Sequence, residues 1–287
     1  MKQFSPPKNP FFRAAYLLTR RFLRHNVGAQ SAALAFYLLF MLFPFLIFLS
    51  ALLGLLHLDV AGIVRALGEV MPREAVELIG SYLAYVQNNS SVRLAVFGLV
   101  FSIYFPMRAA NALMRSVRTA YHLGPPRNPA LHQMKSLVYT VVLILTIVLT
   151  LAAMTVGERM LAYAVVHFRL PAFLAELWVR LRYPAAGLSG YFALSFLYGL
   201  AQDQWRPWRD LWPGTLFSLA AWMALSVLYS LYVDNFADYS LLYGSIGTVI
   251  VLMIWLYLSA VTLIMGAELN GTLISLRKDG KDADRGR

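Results

Sequence analysis

The sequence predicts an all-α, polytopic membrane protein with six transmembrane helices. Of its 287 residues, 59% are apolar and only 14% are charged, whereas an ordinary soluble domain has about 25% charged residues. The apolar residues form long unbroken blocks instead of alternating with polar ones, and several blocks exceed the roughly 18 residues typical of a membrane span. Because hydrocarbon offers no hydrogen bonds to the backbone, blocks of this length cross it only as helices.

The apolar blocks define one transmembrane domain, residues 31–270, between two terminal segments. The tail, 271–287, mixes both signs of charge and is predicted to be cytoplasmic and disordered. The six spans are predicted at about 31–56, 94–113, 137–156, 183–200, 211–233 and 243–266.

Basic residues predict the orientation, because Lys and Arg near span ends are retained on the cytoplasmic side. Seventeen basic residues fall in the two terminal segments and in the connections after the second and fourth spans, against seven in the other connections. Both termini are therefore predicted to be cytoplasmic, in a bacterial inner membrane. The stretch from Arg159 to Arg182 opposes this orientation most, since it places four arginines outside.

Two segments outside the spans are predicted to be amphipathic interfacial helices. Residues 1–30 form a basic segment with Phe22 and Leu23 among arginines, which suits the surface of an anionic leaflet. We find no short apolar stretch followed by a cleavage site in this segment, so it is not expected to be a removable signal peptide. The second helix would follow Pro72, with Val76, Ile79 and Leu83 along one side.

The residues that carry chemistry in enzymes do not form a recognisable active site. The chain has no cysteine, and its five histidines are scattered singly without metal-binding spacing. No phosphate-binding or dinucleotide glycine motif occurs. The sequence therefore predicts a protein that is not an enzyme and needs no metal or cofactor. The net charge of +11 is spread among the connections, which favours membrane lipids with anionic head groups as partners over nucleic acid. The oligomeric state cannot be inferred.

Polar side chains repeat at helical spacing within four of the spans. Because polar groups are costly in hydrocarbon, such stripes are expected to face the bundle interior or a cavity. Two interpretations stay open: the stripes line a polar pathway or pocket, or they hydrogen-bond helix to helix without transporting anything. The stripe residues are Tyr104, Arg108, Asn111 and Arg115 on the second span, Tyr191, Ser195, Tyr198 and Gln202 on the fourth, Trp222, Ser226 and Tyr229 on the fifth, and Ser259 and Thr262 on the sixth.

Arg108 is a charge within a span, and such a charge costs about 2.5 to 3.5 kcal/mol on insertion scales. It therefore requires a partner, and the candidate is Glu268 at the inner end of the sixth span.

Helix breakers indicate kinks or hinges, since proline removes a backbone donor and glycine permits close packing. The candidates are Pro44, Pro184, Gly187, Gly244 and Gly247.

Several separate motifs, in order along the chain from about His25 to Asn270, resemble those of the YihY/BrkB family. The resemblance implies a bacterial inner-membrane protein with six helices. The family once carried a ribonuclease BN label, for which this sequence offers no chemical basis. No catalytic residue comes with the resemblance. The motifs are Gln30 to Tyr37 leading to Phe43-Pro44, Asn111 to Tyr121 before Arg127, Trp212-Pro213-Gly214-Thr215, Tyr243-Gly244-Ser245-Ile246-Gly247, Trp255-Leu256-Tyr257 and Gly266-Ala267-Glu268-Leu269-Asn270.

The leading functional hypothesis is a transporter-like protein that moves a lipid or another amphiphilic envelope component through or along the polar stripes. Family members have been discussed in connection with envelope phenotypes, serum resistance and transport of lipids or other solutes, which agrees with this hypothesis. The alternative is a non-transporting membrane scaffold for envelope machinery. A cavity bordered by Arg108, Asn111, Tyr191 and Tyr198 would favour transport, whereas mutually bonded side chains in a tight bundle would favour the scaffold.

Overall fold

The computed structural model describes most of the chain, and every regular element in the described part is helical. The described residues are 10–56, 92–167, 171, 173–203, 207–235 and 239–285, together with 64–65, 68, 73, 76–77 and 79–81. Seven long helices and one 3-10 turn follow in order: α1 Pro10–Arg24, α2 Val27–Leu56, α3 Val92–Ala120, α4 Pro129–His167, α5 Phe173–Leu200, the turn Trp208–Asp210, α6 Trp212–Asn235 and α7 Tyr239–Arg285.

Five of these helices are long and apolar enough to cross a membrane, whereas six spans were expected. The qualifying segments are Val27–Phe48, Val96–Ala120, Pro129–Thr150, Trp212–Val233 and Gly247–Arg277. The predicted fourth span, 183–200, lies in α5 and is helical, but its Pro184, glycines, serines and tyrosines lower its hydropathy below that of the other five. The sixth span and the cytoplasmic placement of both termini therefore stay predictions.

The structure describes unequal parts of the two segments that were predicted to be interfacial helices. The basic N-terminal segment contains α1, which ends in a turn where Asn26 has a φ of 50°. Of the second interfacial helix, predicted after Pro72, residues 73, 76–77 and 79–81 are helical and Ile79 is buried, while its other residues lie outside the described part.

The tail was predicted to be disordered, whereas in the structure α7 continues through it as far as Arg285. The packing of its first residues explains the difference. Ser275 accepts a hydrogen bond from Arg21 of α1 at 3.0 Å, and Arg277 forms a 2.8 Å ion pair with Asp210 of the 3-10 turn. Since α7 has 47 residues, it is about 70 Å long and extends well beyond the roughly 30 Å hydrocarbon layer.

The buried core gathers at one end of the bundle, which we call the inner end. Here α2 begins, α3 and α5 end, and α6 begins, with Val27, Met114, Leu197, Leu211 and Ile264 fully buried among them. Elsewhere the spans expose large apolar side chains, which is the expected surface of helices in contact with lipid. Examples are Leu145, Leu149, Met223, Val227 and Leu228.

A pair of glycines sets the crossing of α6 and α7 at the inner end. A Cβ added to Gly266 would lie 1.8 Å from Ser218 Oγ and 2.4 Å from the carbonyl oxygen of Gly214. Asn270 fixes this crossing, since its Oδ1 accepts from the Gly214 N–H at 2.6 Å and its Nδ2 donates to the Leu211 carbonyl at 2.8 Å. Small residues permit such close approach between membrane helices.

Candidate functional site

The stripe on α3 lies between two other helices. Arg108 Nη2 donates to the Tyr37 hydroxyl of α2 at 3.3 Å, and its guanidinium lies 5.5 Å from the centre of the Tyr37 ring. Three residues further on, Asn111 Nδ2 donates to Gln133 Oε1 of α4 at 2.9 Å. We call the face of α3 that carries Tyr104, Arg108, Asn111 and Arg115, flanked by Tyr37 and Gln133, the α3 furrow.

The α3 furrow remains largely accessible. Tyr104 is 45% exposed, Arg108 is half-buried and Arg115 is exposed, whereas Asn111 is buried against α4. In the candidate span Val96–Ala120, Arg108 occupies the middle position. Within the described part of the chain no carboxylate pairs with it. Among the described residues, a cation in the middle of a candidate span whose side-chain partner is a phenol marks the furrow as a candidate functional site.

The stripe of α5 is packed into the bundle instead of lining a space. Ser195 Oγ donates to Thr215 Oγ1 of α6 at 3.1 Å, and the Tyr198 hydroxyl donates to the Leu263 carbonyl of α7 at 2.5 Å. Gln202 bonds back to the Tyr198 carbonyl at 2.9 Å. Tyr191 lies outside this packing, with its ring 5.7 Å from that of Trp208.

The stripes of α6 and α7 bond to each other in the same way. Trp222 Nε1 donates to Ser259 Oγ at 3.1 Å, the Tyr229 hydroxyl donates to the Val251 carbonyl at 2.6 Å, and Thr262 bonds to the Ser259 carbonyl at 2.7 Å. The Ser226 hydroxyl is buried and has no hydrogen-bond partner among the residues that the structure describes. Ser195, Tyr198, Trp222 and Tyr229 therefore bond α5, α6 and α7 to one another. The α3 stripe bonds instead to α2 and α4.

The predicted ion pair between Arg108 and Glu268 is wrong. Glu268 is 1% exposed and binds two groups from the N-terminal segment: His25 Nδ1 at 2.6 Å and Arg21 Nη1 at 3.4 Å. Arg21 also donates to the carbonyl of Ala120, which is twelve residues beyond Arg108 on α3 and so about 18 Å along the helix axis. Glu268 lies near the end of α3, too far along it for Arg108 to be its partner.

Arg21, His25 and Glu268 form a cluster that fixes α1 to the inner end. Arg21 Nη2 donates to Ser275 of α7 at 3.0 Å and lies 3.1 Å from Nε2 of His122. His122 follows α3 with a φ of 54°. Burial, and then the positive charge of Arg21, lowers the pKa of His122.

A second buried cation, Arg118, ties the end of α3 to the end of α5. Its side chain donates to both Asp203 oxygens at 2.8 and 3.0 Å and to the carbonyls of Gly124 and Ala201. These hydrogen bonds hold the pKa of Asp203 below its usual range. In the sequence Arg118 counts only as one of the basic residues of a cytoplasmic connection, because spacing does not reveal that the Asp203 carboxylate and these carbonyls surround it.

The predicted hinge residues lie inside continuous helices: Pro44 in α2, Pro184 in α5, and Gly244 and Gly247 in α7. No described residue lies within 4 Å of a Cβ added to Gly187. Whether any of them bends during function stays a prediction. Pro106 is a further proline inside α3, two residues before Arg108, and we had not singled it out.

The motifs behind the family resemblance contribute to these contacts. Tyr37 at the end of the first motif binds Arg108, and Gly214, Gly266, Glu268 and Asn270 build the inner end. These motif residues were the available signal for the inner cluster, although spacing alone did not show that they meet. Among the described residues, no three His, Asp or Glu side chains lie close enough to hold a metal ion.

The helices and their apolar surfaces define an integral membrane protein. Residues 18–287 match the family model described as virulence factor BrkB, so the chain belongs to the BrkB family. It is 31% identical to the ribonuclease-like protein YfkH of Bacillus subtilis (strain 168), over 91% of this chain and 95% of YfkH. It is also similar to UPF0761 membrane proteins.

The protein Smlt0865 of Stenotrophomonas maltophilia (strain K279a) is 25% identical over 66% of this chain but only 43% of its own length. PSPA7_4558 of Pseudomonas paraeruginosa (strain DSM 24068 / PA7) is 24% identical over 92% of this chain and 63% of its own length. The chain therefore spans less than two thirds of these two relatives. No solved structure matches.

Proposed function

We propose that this protein moves the head group of an anionic amphiphile, such as a lipid or another envelope component, along the α3 furrow. The observation that carries the proposal is Arg108, a half-buried cation in the middle of a candidate span whose partner is the hydroxyl of Tyr37. A head group that enters hydrocarbon loses its hydration, and a cation at mid-depth lowers the cost of that step.

Two further features support a path along the furrow. Arg115 is exposed seven residues nearer the inner end on the same face of α3, so two cations follow one another toward the surface. Arg20 and Arg24 of α1 are also exposed at that end, and basic side chains there attract anionic head groups. Phe36 and Phe40 of α2 are each 45% exposed, and their rings can contact the acyl chain.

The proposal includes six spans in a bacterial inner membrane with both termini in the cytoplasm. The absence of cysteine makes this testable with single cysteines introduced into a cysteine-free background. In intact cells whose outer membrane has been permeabilised, we expect a maleimide that does not cross the inner membrane to label Arg180→Cys but not Arg24→Cys. Both positions are exposed in the fold. The reverse labelling pattern, or labelling of both, would overturn the orientation.

Transport along the furrow is tested with purified protein in vesicles that contain fluorescent phosphatidylglycerol. We expect Arg108→Gln to slow the movement of this lipid between leaflets by about tenfold or more, because a charge-assisted contact contributes about 1.5–3 kcal/mol. The rate is measured by chemical quenching of the outer-leaflet label.

Ser259→Ala is the control for the flux measurement. It removes the acceptor of the Trp222 N–H from a packing stripe, costs about 0.5–1.5 kcal/mol of stability, and is expected to leave the rate unchanged. Equal rates for Arg108→Gln and the unaltered protein would contradict a role of the furrow.

The alternative function, a non-transporting scaffold for envelope machinery, is favoured by a different observation. Ser195, Tyr198 and Trp222 of these stripes bond α5, α6 and α7 to one another, and Tyr198 is fully buried. This is the packing expected of a bundle without an internal pathway. The two functions differ in the vesicle measurement, since a scaffold gives no flux above that of protein-free vesicles.

A further inference from the structure

A cavity of about 180 Å³ lies between α4 and α5, away from the inner end. On α4 it begins some twenty residues after Pro129, which is about 30 Å along the helix. Its lining is apolar apart from three side chains. The lining residues are Leu149, Thr150 and Ala153 of α4 and Trp178, Arg182, Ala185 and Ala186 of α5.

One of the polar side chains in this cavity has an unused donor. Trp178 Nε1 is buried and has no hydrogen-bond partner in the described part of the chain. Leaving a buried donor unpaired costs about 1–3 kcal/mol, so an acceptor from outside the protein is favoured at this position. The Thr150 hydroxyl, by contrast, is engaged with Ser189 Oγ at 3.1 Å.

A positive charge lies beside that donor. Arg182 follows Trp178 by four residues, which places both on one face of α5, and its guanidinium lies 5.0 Å from the centre of the Tyr183 ring. The methyl groups of Ala153, Ala185 and Ala186 complete the wall. The cavity thus combines a cation and an N–H donor with a short apolar surface.

We propose that this cavity binds an anionic lipid, whose acidic head accepts from Trp178 and pairs with Arg182 while its chain contacts the alanines. A volume of roughly six water molecules, at about 30 Å³ each, holds part of a lipid, and the remainder lies in the surrounding bilayer. This site is separate from the α3 furrow, and it rests on the proposed function only for the class of ligand.

The test uses phosphatidylglycerol with brominated acyl chains, because bromine quenches tryptophan fluorescence at short range. The full-length protein in nanodiscs of ordinary phosphatidylcholine is compared after addition of brominated phosphatidylglycerol or the same fraction of brominated phosphatidylcholine. We expect the anionic lipid to quench more strongly. The excess should disappear in Trp178→Phe, which removes the fluorophore of the cavity, and in Ala186→Leu, which fills the space.

Arg182→Gln and Arg180→Gln form the matched pair. Both remove one charge from α5, but Arg180 is exposed and does not line the cavity. Half of the excess quenching should require about tenfold more anionic lipid in Arg182→Gln, the ratio given by 1.4 kcal/mol, and the same amount in Arg180→Gln. Equal quenching by the two lipids, or equal effects of the two arginine variants, would overturn the proposal.

The quenching result and the flux result are independent of each other. If the vesicles show no lipid movement but the excess quenching behaves as described, the cavity is a lipid site and the proposed function fails. If Arg108→Gln slows flux but no excess quenching occurs, the proposed function is supported and the cavity is not a lipid site. Thermal unfolding of each variant identifies any that has lost its fold, and a folded Ala186→Leu variant that keeps the full excess quenching also overturns the proposal.

Discussion

Replacing Glu268 by alanine is expected to lower the free energy of unfolding by about 3–5 kcal/mol, the cost of removing one partner from a buried ion pair. The side chain is 1% exposed and binds Arg21 and His25 together. Without the carboxylate, the Arg21 guanidinium stays at the end of α3 with no compensating charge. We therefore expect α1 to detach, which can be measured as faster trypsin cleavage at Arg20 and Arg24.

Asp210→Ala is the matched control for Glu268→Ala. Asp210 also pairs with an arginine, Arg277, but the side chain of that arginine is 52% exposed, and exposed pairs contribute about 0–1 kcal/mol. A small effect of Asp210→Ala beside a large effect of Glu268→Ala would show that burial of the pair sets its contribution. Slow cleavage of α1 in a Glu268→Ala protein that is still folded would contradict the clamping role of this cluster.

Gly266→Ala is expected to be nearly as damaging, although it adds a single methyl group. That methyl would lie 1.8 Å from Ser218 Oγ and 2.4 Å from the Gly214 carbonyl, so α6 and α7 must separate. Overpacking typically costs about 1–3 kcal/mol, and the Asn270 hydrogen bonds to Gly214 and Leu211 would be strained as well. Thermal unfolding in detergent measures the loss.

The same substitution at Gly187 provides the comparison. There the added methyl meets no atom of the described part of the chain within 4 Å, and alanine is favoured over glycine inside a helix by about 0.5–1 kcal/mol. Gly187→Ala is thus expected to be neutral or stabilising. If both substitutions shifted the unfolding temperature equally, the close crossing at Gly266 would be wrong.

Composition and block length were sufficient to predict the helices, because backbone satisfaction in hydrocarbon leaves few alternatives. They were not sufficient to predict where the helices end. The tail of α7 is helical because Thr272, Ser275 and Arg277 find partners on other elements or one turn back, and its charge pattern gave no indication of these partners. α5 does not qualify as a candidate span, because its proline, glycines, serines and tyrosines lower its hydropathy without preventing a helix.

The candidate site was predicted in part. Spacing placed Tyr104, Arg108, Asn111 and Arg115 on one face of α3, and in the structure Arg108 bonds to α2 and Asn111 to α4. Spacing did not reveal which stripe faces which neighbour, because that depends on how the helices cross. The partner of Glu268 was missed for the same reason: Arg21 and His25 are more than 240 residues away in sequence, and only the turn at Asn26 brings them to α7.

The central claim is that the α3 stripe contacts a lipid head group whereas the stripes of α5, α6 and α7 hold the helices together. A cryo-electron microscopy map of the protein in nanodiscs that contain phosphatidylglycerol tests this most directly. We expect density for a lipid whose head lies beside Arg108 and Tyr37, and unbroken side-chain density between Trp222 and Ser259. Acyl-chain density alone beside Arg108, or a solvent-filled channel among the α5, α6 and α7 stripes, would contradict the claim.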